Sequence, residues 1–224
     1  MAYDAFDLSG KVAVVTGGNG GIGLGFARAV AAAGADVSIW GTNPDKNAAA
    51  EKELKEINPS ASATICDVSN ESAVEEAMAG VIARYGRVDA CFPNAGIGTQ
   101  NQKPFFEHSN EDWFSVIDVN LHGVFYTLRA ATRQMVEQGE GGTLVLTASG
   151  TAIQGAAKGQ AYAATTRPRP WWFGARFRDG TSPSPTVARL ASCTIIGNGT
   201  GQIGSGPCVN SRRDGTSPSP SVRE

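Results

Sequence analysis

A chain of 224 residues, 41% of them hydrophobic, is long enough for one domain with a substantial core. Its net charge of −2 gives no reason to expect a nucleic-acid or membrane partner for the chain as a whole. Four cysteines without CxxC spacing and only two histidines, His108 and His122, provide neither a zinc site nor a disulfide framework. The opening "MAYDAFDLSGK" does not read as a signal peptide, and no run of about 18 apolar residues could span a membrane, so a soluble cytoplasmic protein is expected.

Up to residue 166 the chain alternates between two patterns. "KVAVVTG" is a short β-branched run closed by glycine, the mark of a buried strand, and "GIGLGFARAVAAAGA" is alanine-rich with a closing glycine, as a helix and its cap require. "DVSIWG" is a second strand. The helix after it has Asn43 as N-cap and Pro44 at the first helical position. "SATICDV" is a third strand and "NESAVEEAMAGVIARYG" an amphipathic helix. "RVDACFPNAG" is a strand entering a turn, residues 111–138 read as one long helical stretch, and "GGTLVLTASG" is a fifth strand. Strand and helix in strict alternation, with no hairpins, predict an α/β fold: a doubly wound parallel sheet of the Rossmann-like kind.

Residues 167–224 read differently. They hold eight arginines, no lysine and three acids, whereas residues 1–166 carry a net charge of −7. Seven of the eleven prolines lie here, and "RDGTSPSP" occurs twice, at Arg178–Pro185 and Arg213–Pro220. Composition predicts an irregular, disordered tail beyond an incomplete domain of residues 1–166, with the C-terminal strands of the sheet missing. A shifted reading frame in GC-rich DNA accounts for this composition: "FRDGTSPSP" permits codons that read "FAMELARH" one base later. Without lysines or clustered basic runs, the tail does not read as a nucleic-acid arm.

"VVTGGNGGIGLG" joins the first strand to the first helix. Gly17, Gly21 and Gly23 permit a tight turn and close approach to a pyrophosphate, with Asn19 and Ile22 between them, and the helix N-terminus offers free N–H groups. The TGxxxGxG spacing resembles the short-chain dehydrogenase/reductase family. Further segments resemble it in the same order: "CDVSN" with Asp67 and Val68, "PNAGI" with Asn94, Ala95 and Gly96, "DVNLHGVF" with Asn120, and "LTASG" with Ser149, followed by Tyr162 thirteen residues on. The likeness covers about residues 8–165.

The resemblance implies an NAD(P)-dependent oxidoreductase that moves hydride between nicotinamide and a ketone or secondary alcohol. Tyr162 would exchange the proton, Ser149 would hold the substrate oxygen, and Asn120 would place a water in a proton relay. Asp67 would hold the adenine, and the Asn94–Gly96 segment would line the cofactor. A free tyrosine titrates near about 10 and needs help to act as a base at neutral pH. In the family a lysine four residues later supplies it, on the same helix face. Here that position is Thr166, which carries no charge. Arg167 would point about 100° away, Pro168 disfavours helix there, and Lys158 lies upstream in a loop. A non-catalytic nucleotide-binding remnant is therefore the alternative reading.

The acid that grips the ribose 2′-OH of NAD would stand at the end of the second strand, where this chain has Gly41. Glycine leaves room for a 2′-phosphate that Thr42 and Asn43 could bond, which favours NADP slightly over NAD. The family is usually homo-oligomeric through the helix that bears the tyrosine. Its interruption predicts a monomer, or aggregation at an exposed sheet border.

Overall fold

β1 (Val12–Thr16), β2 (Asp36–Gly41), β3 (Ser62–Ile65), β4 (Ala90–Phe92), β5 (Gly142–Ser149) and β6 (Ala188–Ile196) form one sheet in the order β3-β2-β1-β4-β5-β6. Every pairing is parallel. The structure, a computed structural model, describes residues 6–98, 103–151, 159–166 and 188–196. Strand order reverses between β1 and β4, which opens a crevice at the C-terminal ends of those strands.

Alternation along β1 builds two cores. Val12 and Val14 face a cluster with Val74, Met78, Leu128 and Met135, from α3 (Glu71–Tyr85) and α5 (Gly123–Glu137). Ala13 and Val15 face Ala27, Ala31, Ala50 and Leu54, from α1 (Gly21–Ala32) and α2 (Pro44–Ile57). Burial on both faces explains why β1 is an unbroken apolar run rather than an alternating one. Helix ends follow the sequence signals. Asn43 accepts a hydrogen bond from Lys46 N and caps α2, Asn70 accepts from Ala73 N and caps α3, and Gly86 closes α3 at φ +78°.

Two segments differ from expectation. The long helix breaks into α4 (Asn110–Ile117), a π-turn (Asp118–His122) and α5, with Gly123 N donating to Asp118 O five residues back. The other difference is β6. Its parallel register with β5 runs from Gly142↔Ala188 to Ser149↔Ile196, with a bulge between Leu144 and Val145. This corrects the reading that nothing beyond 167 extends the sheet and that β5 is left as an exposed border. The segment lies in the longest stretch of the tail free of glycine and proline and ends in "TII", while β5 offers an unpaired ladder. The remainder of the tail, including both "RDGTSPSP" copies, Arg167, Pro168 and the segment read in a shifted frame, lies outside the described residues, as does Lys158.

Asp89 ties the start of β4 to β1. It accepts from Val12 N at 3.0 Å and from Lys11 Nζ at 3.2 Å, and it pairs with Arg87. Desolvation alone would raise its pKa, but the bonds from Arg87, Val12 N and Lys11 outweigh it and hold the carboxyl below its ordinary value. A carboxylate with a depressed folded pKa stabilises the fold above its unfolded value and loses that stabilisation as pH falls through the folded one. Stability should therefore drop below about pH 4. Chemical denaturation across that range is expected to show a shallower loss for Asp89→Asn than for the natural chain.

Candidate functional site

The crevice is a cleft of about 340 Å³ at the C-terminal ends of β1, β2 and β4. Gly17, Asn19, Thr42, Asp67, Val68, Ala95 and Gly96 line it, joined by Gly41, Asn43, Lys46, Cys66 and Ile97. A larger cavity of about 470 Å³ lies at the opposite strand ends, around Lys11, Asp89 and Gly142. Ligands of open α/β sheets bind beyond the carboxyl ends of the strands, which assigns the site to the smaller cleft.

The glycine turn is shaped by close packing. Gly17 has φ +62°, and a Cβ on it would lie 3.0 Å from Ala95 Cα. A Cβ on Gly23 would meet Gly17 O and come within 2.5 Å of Asn94 Nδ2. Gly21, at φ +52°, and Ile22 open α1, and neither they nor Gly23 line the cleft. Ile22 is largely exposed. No acid stands in the first turn of α1 and no side chain caps it, so its leading N–H groups are left for an anion.

Asn94 fastens the floor. Its Nδ2 donates to Thr16 O at 3.1 Å, its Oδ1 accepts from Thr147 Oγ1 at 3.1 Å, and Thr16 Oγ1 accepts from the N–H groups of Asn94 and Ala95, each at 3.0 Å. Three strand ends are thereby held together. Asp67 is exposed, and its Oδ1 is held by Ser69 N at 3.0 Å and Ser69 Oγ at 2.7 Å. Val68 is buried against Gly123, where a Cβ would come within 2.7 Å of Val68 Cγ2. Burial, reinforced by the nearby Asp67 charge, pushes the Cys66 thiol up to about 11, so it stays protonated and is no nucleophile.

The second half of the site lies where the π-turn, β5 and α6 (Gln160–Thr166) meet. The extra residue of the π-turn brings Asn120 to Ile97. Its Oδ1 accepts from Ile97 N at 2.8 Å, and its Nδ2 donates to Ile97 O at 2.9 Å and to Thr165 Oγ1 at 3.3 Å. Ser149, buried at the end of β5, accepts from Thr151 Oγ1 at 3.0 Å and Thr151 N at 3.3 Å. Both its lone pairs are used, which leaves its own proton to be donated. Thr151 Oγ1 lies 3.3 Å from Thr166 Oγ1, which donates to Tyr162 O at 2.9 Å. Thr165 Oγ1 also donates to Tyr162 O, at 3.0 Å, so Asn120 through Thr165, and Ser149 through Thr151 and Thr166, are both linked to the backbone carbonyl of Tyr162. Tyr162 is half-buried, and its hydroxyl bonds no other described residue.

Residues 11–166 match the family profile for short chain dehydrogenase. The chain belongs to the short chain dehydrogenase family. It is 34% identical over 157 residues to 3-oxoacyl-(acyl-carrier-protein) reductase of Chlamydia pneumoniae, covering 70% of this chain and 62% of that one. With a sorbose reductase of Schizosaccharomyces pombe it shares 38% identity over 147 residues, 64% of this chain and 56% of the relative. Its fold superposes on a short-chain type dehydrogenase/reductase from Mycobacterium marinum with a TM-score of 0.69 at 33% identity, covering 73% and 66% of the two chains. For an NAD+-bound xylitol dehydrogenase the TM-score is 0.67 at 32% identity, with coverage of 70% and 60%. The matched part therefore spans less than two thirds of the length of these curated relatives.

Lys46 lines the cleft and the buried Asn47 donates to Gly41 O at 2.9 Å, and the sequence singles out neither. Both follow the N-cap of α2, and nothing in a helical pattern says which residues of a first turn reach over a neighbouring strand end. Among the described residues no helix is long and apolar enough to cross a membrane.

Proposed function

We propose that this short-chain dehydrogenase binds a nicotinamide dinucleotide across the cleft and reduces a carbonyl, or oxidises the matching alcohol, at Ser149 and Tyr162. The observation that carries this is that Ser149 and Asn120 are both tied, through Thr151, Thr166 and Thr165, to the backbone of Tyr162, beside a glycine turn whose helix N-terminus is uncapped by any side chain. The residues fit the group: the first turn of α1 would take the pyrophosphate, Asp67 and Val68 the adenine, and the Asn94–Gly96 segment would lie against the cofactor. When bound, nicotinamide supplies or accepts the hydride.

The chain's own residues do the rest. Ser149 donates its free proton to the substrate oxygen. Tyr162 passes a proton to or from that oxygen. Asn120, anchored on Ile97, holds α6 in place through Thr165 and would position the relay water. No cation stands at Thr166 to favour tyrosinate, so turnover is expected to be slow. An assay of a ketone panel with NADPH tests the reading. Slow, saturable oxidation of NADPH that is lost in Tyr162→Phe supports it. Tight binding with no turnover on any ketone would leave only the nucleotide-binding remnant.

For the cofactor we favour NADP. The cleft end beyond β2 carries Gly41, Thr42, Asn43 and Lys46, with glycine rather than an acid as the last residue of the strand, and Lys46 forms no ion pair among the described residues. An ammonium in that position suits a 2′-phosphate. Equilibrium dialysis is expected to give an NADPH dissociation constant about tenfold below that of NADH; equal constants would contradict the preference. Cys66 and Cys91 are buried free thiols, in keeping with a cytoplasmic setting. Because Pro168 and Pro170 follow Thr166 in the sequence and disfavour further helix, light scattering is expected to find a monomer; a stable tetramer would contradict that.

A further inference from the structure

At the adenosine end of the cleft, two amides bridge elements that the reaction itself does not use. Asn47, only 4% exposed on α2, donates through Nδ2 to Gly41 O at 2.9 Å and to Thr64 O at 3.1 Å. With the Nδ2 hydrogens on two carbonyls, its Oδ1 is fixed towards Asn19, whose Nδ2 donates to it at 2.7 Å. The pair links the glycine turn to α2 across the last residue of β2. It also occupies the space above Gly41. A Cβ there would lie 2.7 Å from both Asn19 Cγ and Asn47 Oδ1, and closer still to Asn19 Nδ2. Gly41 is not among the positive-φ glycines, so its backbone would accept a side chain. What forbids one is the amide bridge.

We propose that the Asn19–Asn47 bridge determines dinucleotide specificity. It fills the volume from which a carboxylate at 41 would grip a ribose 2′-OH, and it leaves the 2′ position to Thr42, Asn43 and Lys46. Asn47 is a positioning residue, since it acts through Asn19 and the strand ends rather than on the ligand. The inference rests on the dinucleotide reading above.

Fluorescence titration of the full chain with NADH and NADPH tests it. Gly41→Asp is expected to weaken both by about tenfold or more, because the carboxylate cannot seat and the glycine turn is pushed aside. Gly41→Asp combined with Asn47→Ala is expected to regain about tenfold in NADH affinity over the single variant, while NADPH stays weak. The proposal is overturned if Gly41→Asp alone binds NADH as well as the natural chain does, or if the double variant binds it no better than the single. Should Asn47→Ala lose its cooperative thermal transition, Asn19→Ala removes the other half of the bridge and carries the same expectation. A natural chain that prefers NADH would sink the phosphate role of Lys46 but leave this comparison, made within NADH, intact.

Discussion

Thr166→Lys is expected to raise kcat/KM for ketone reduction by about 100-fold or more, equivalent to roughly 2.7 kcal/mol of barrier. Position 166 faces the chemistry. Thr166 Oγ1 is 2.9 Å from Tyr162 O and 3.3 Å from Thr151 Oγ1, which in turn donates to Ser149. A lysine there would carry its ammonium past Thr151 towards the phenol, where a positive charge favours tyrosinate. Lysine is also a better helix former than threonine, so α6 should tolerate the change. In reduction the protonated phenol is the acid, so the fall in kcat/KM at high pH should begin about one unit or more lower, while alcohol oxidation, which needs the tyrosinate, should rise at a correspondingly lower pH. Thr166→Met, of similar length but uncharged, is expected to stay at the rate of the natural chain. Steady-state kinetics of the three proteins with NADPH decide the matter, and a lysine variant no faster than the methionine one would show that charge at 166 is not what the site lacks.

The second large effect lies in the glycine turn. Gly23→Ala is expected to weaken dinucleotide binding by about 100-fold and to destabilise the fold by about 1–3 kcal/mol. The added methyl would overlap Gly17 O and crowd Asn94 Nδ2, so both the turn and the Asn94 anchor of three strand ends must shift. Gly25→Ala, two residues on in the same helix, is the control. A Cβ there meets nothing within 4 Å, and alanine should stabilise the helix by about 0.5–1 kcal/mol with binding unchanged. Thermal unfolding and dissociation constants for both variants separate a close-packed turn from a merely flexible one, for which the two substitutions would behave alike.

These positions also show what a sequence can and cannot reveal. The glycine turn and the parallel run of the first five strands were legible because each is a local pattern with one geometric use, whereas the Ser149–Tyr162 spacing was read from the resemblance. Asn43 and Pro44 likewise announced the start of α2. The π-turn was not legible: residues 111–138 keep a helical pattern throughout, and a single extra residue at Asp118–His122 changes which side Asn120 faces without altering composition. Asn47 was hidden for a related reason. Its value depends on two carbonyls and an amide from β2, β3 and the glycine turn, all distant in sequence. β6 was hidden by its neighbours, since the glycine- and proline-rich residues around it dominate any composition drawn over the tail, while the apolar stretch itself needed only the open ladder of β5.

The proposed nucleotide cradle lies among the described residues up to Thr166 and does not depend on a cation at that position. Calorimetric titration of the full, folded chain with NADPH tests this most directly. One saturable site per chain, weakened about 100-fold in Gly23→Ala and retained in Tyr162→Phe and Thr166→Lys, is the predicted result. Folded protein that releases no heat with NADPH or NADH would contradict it.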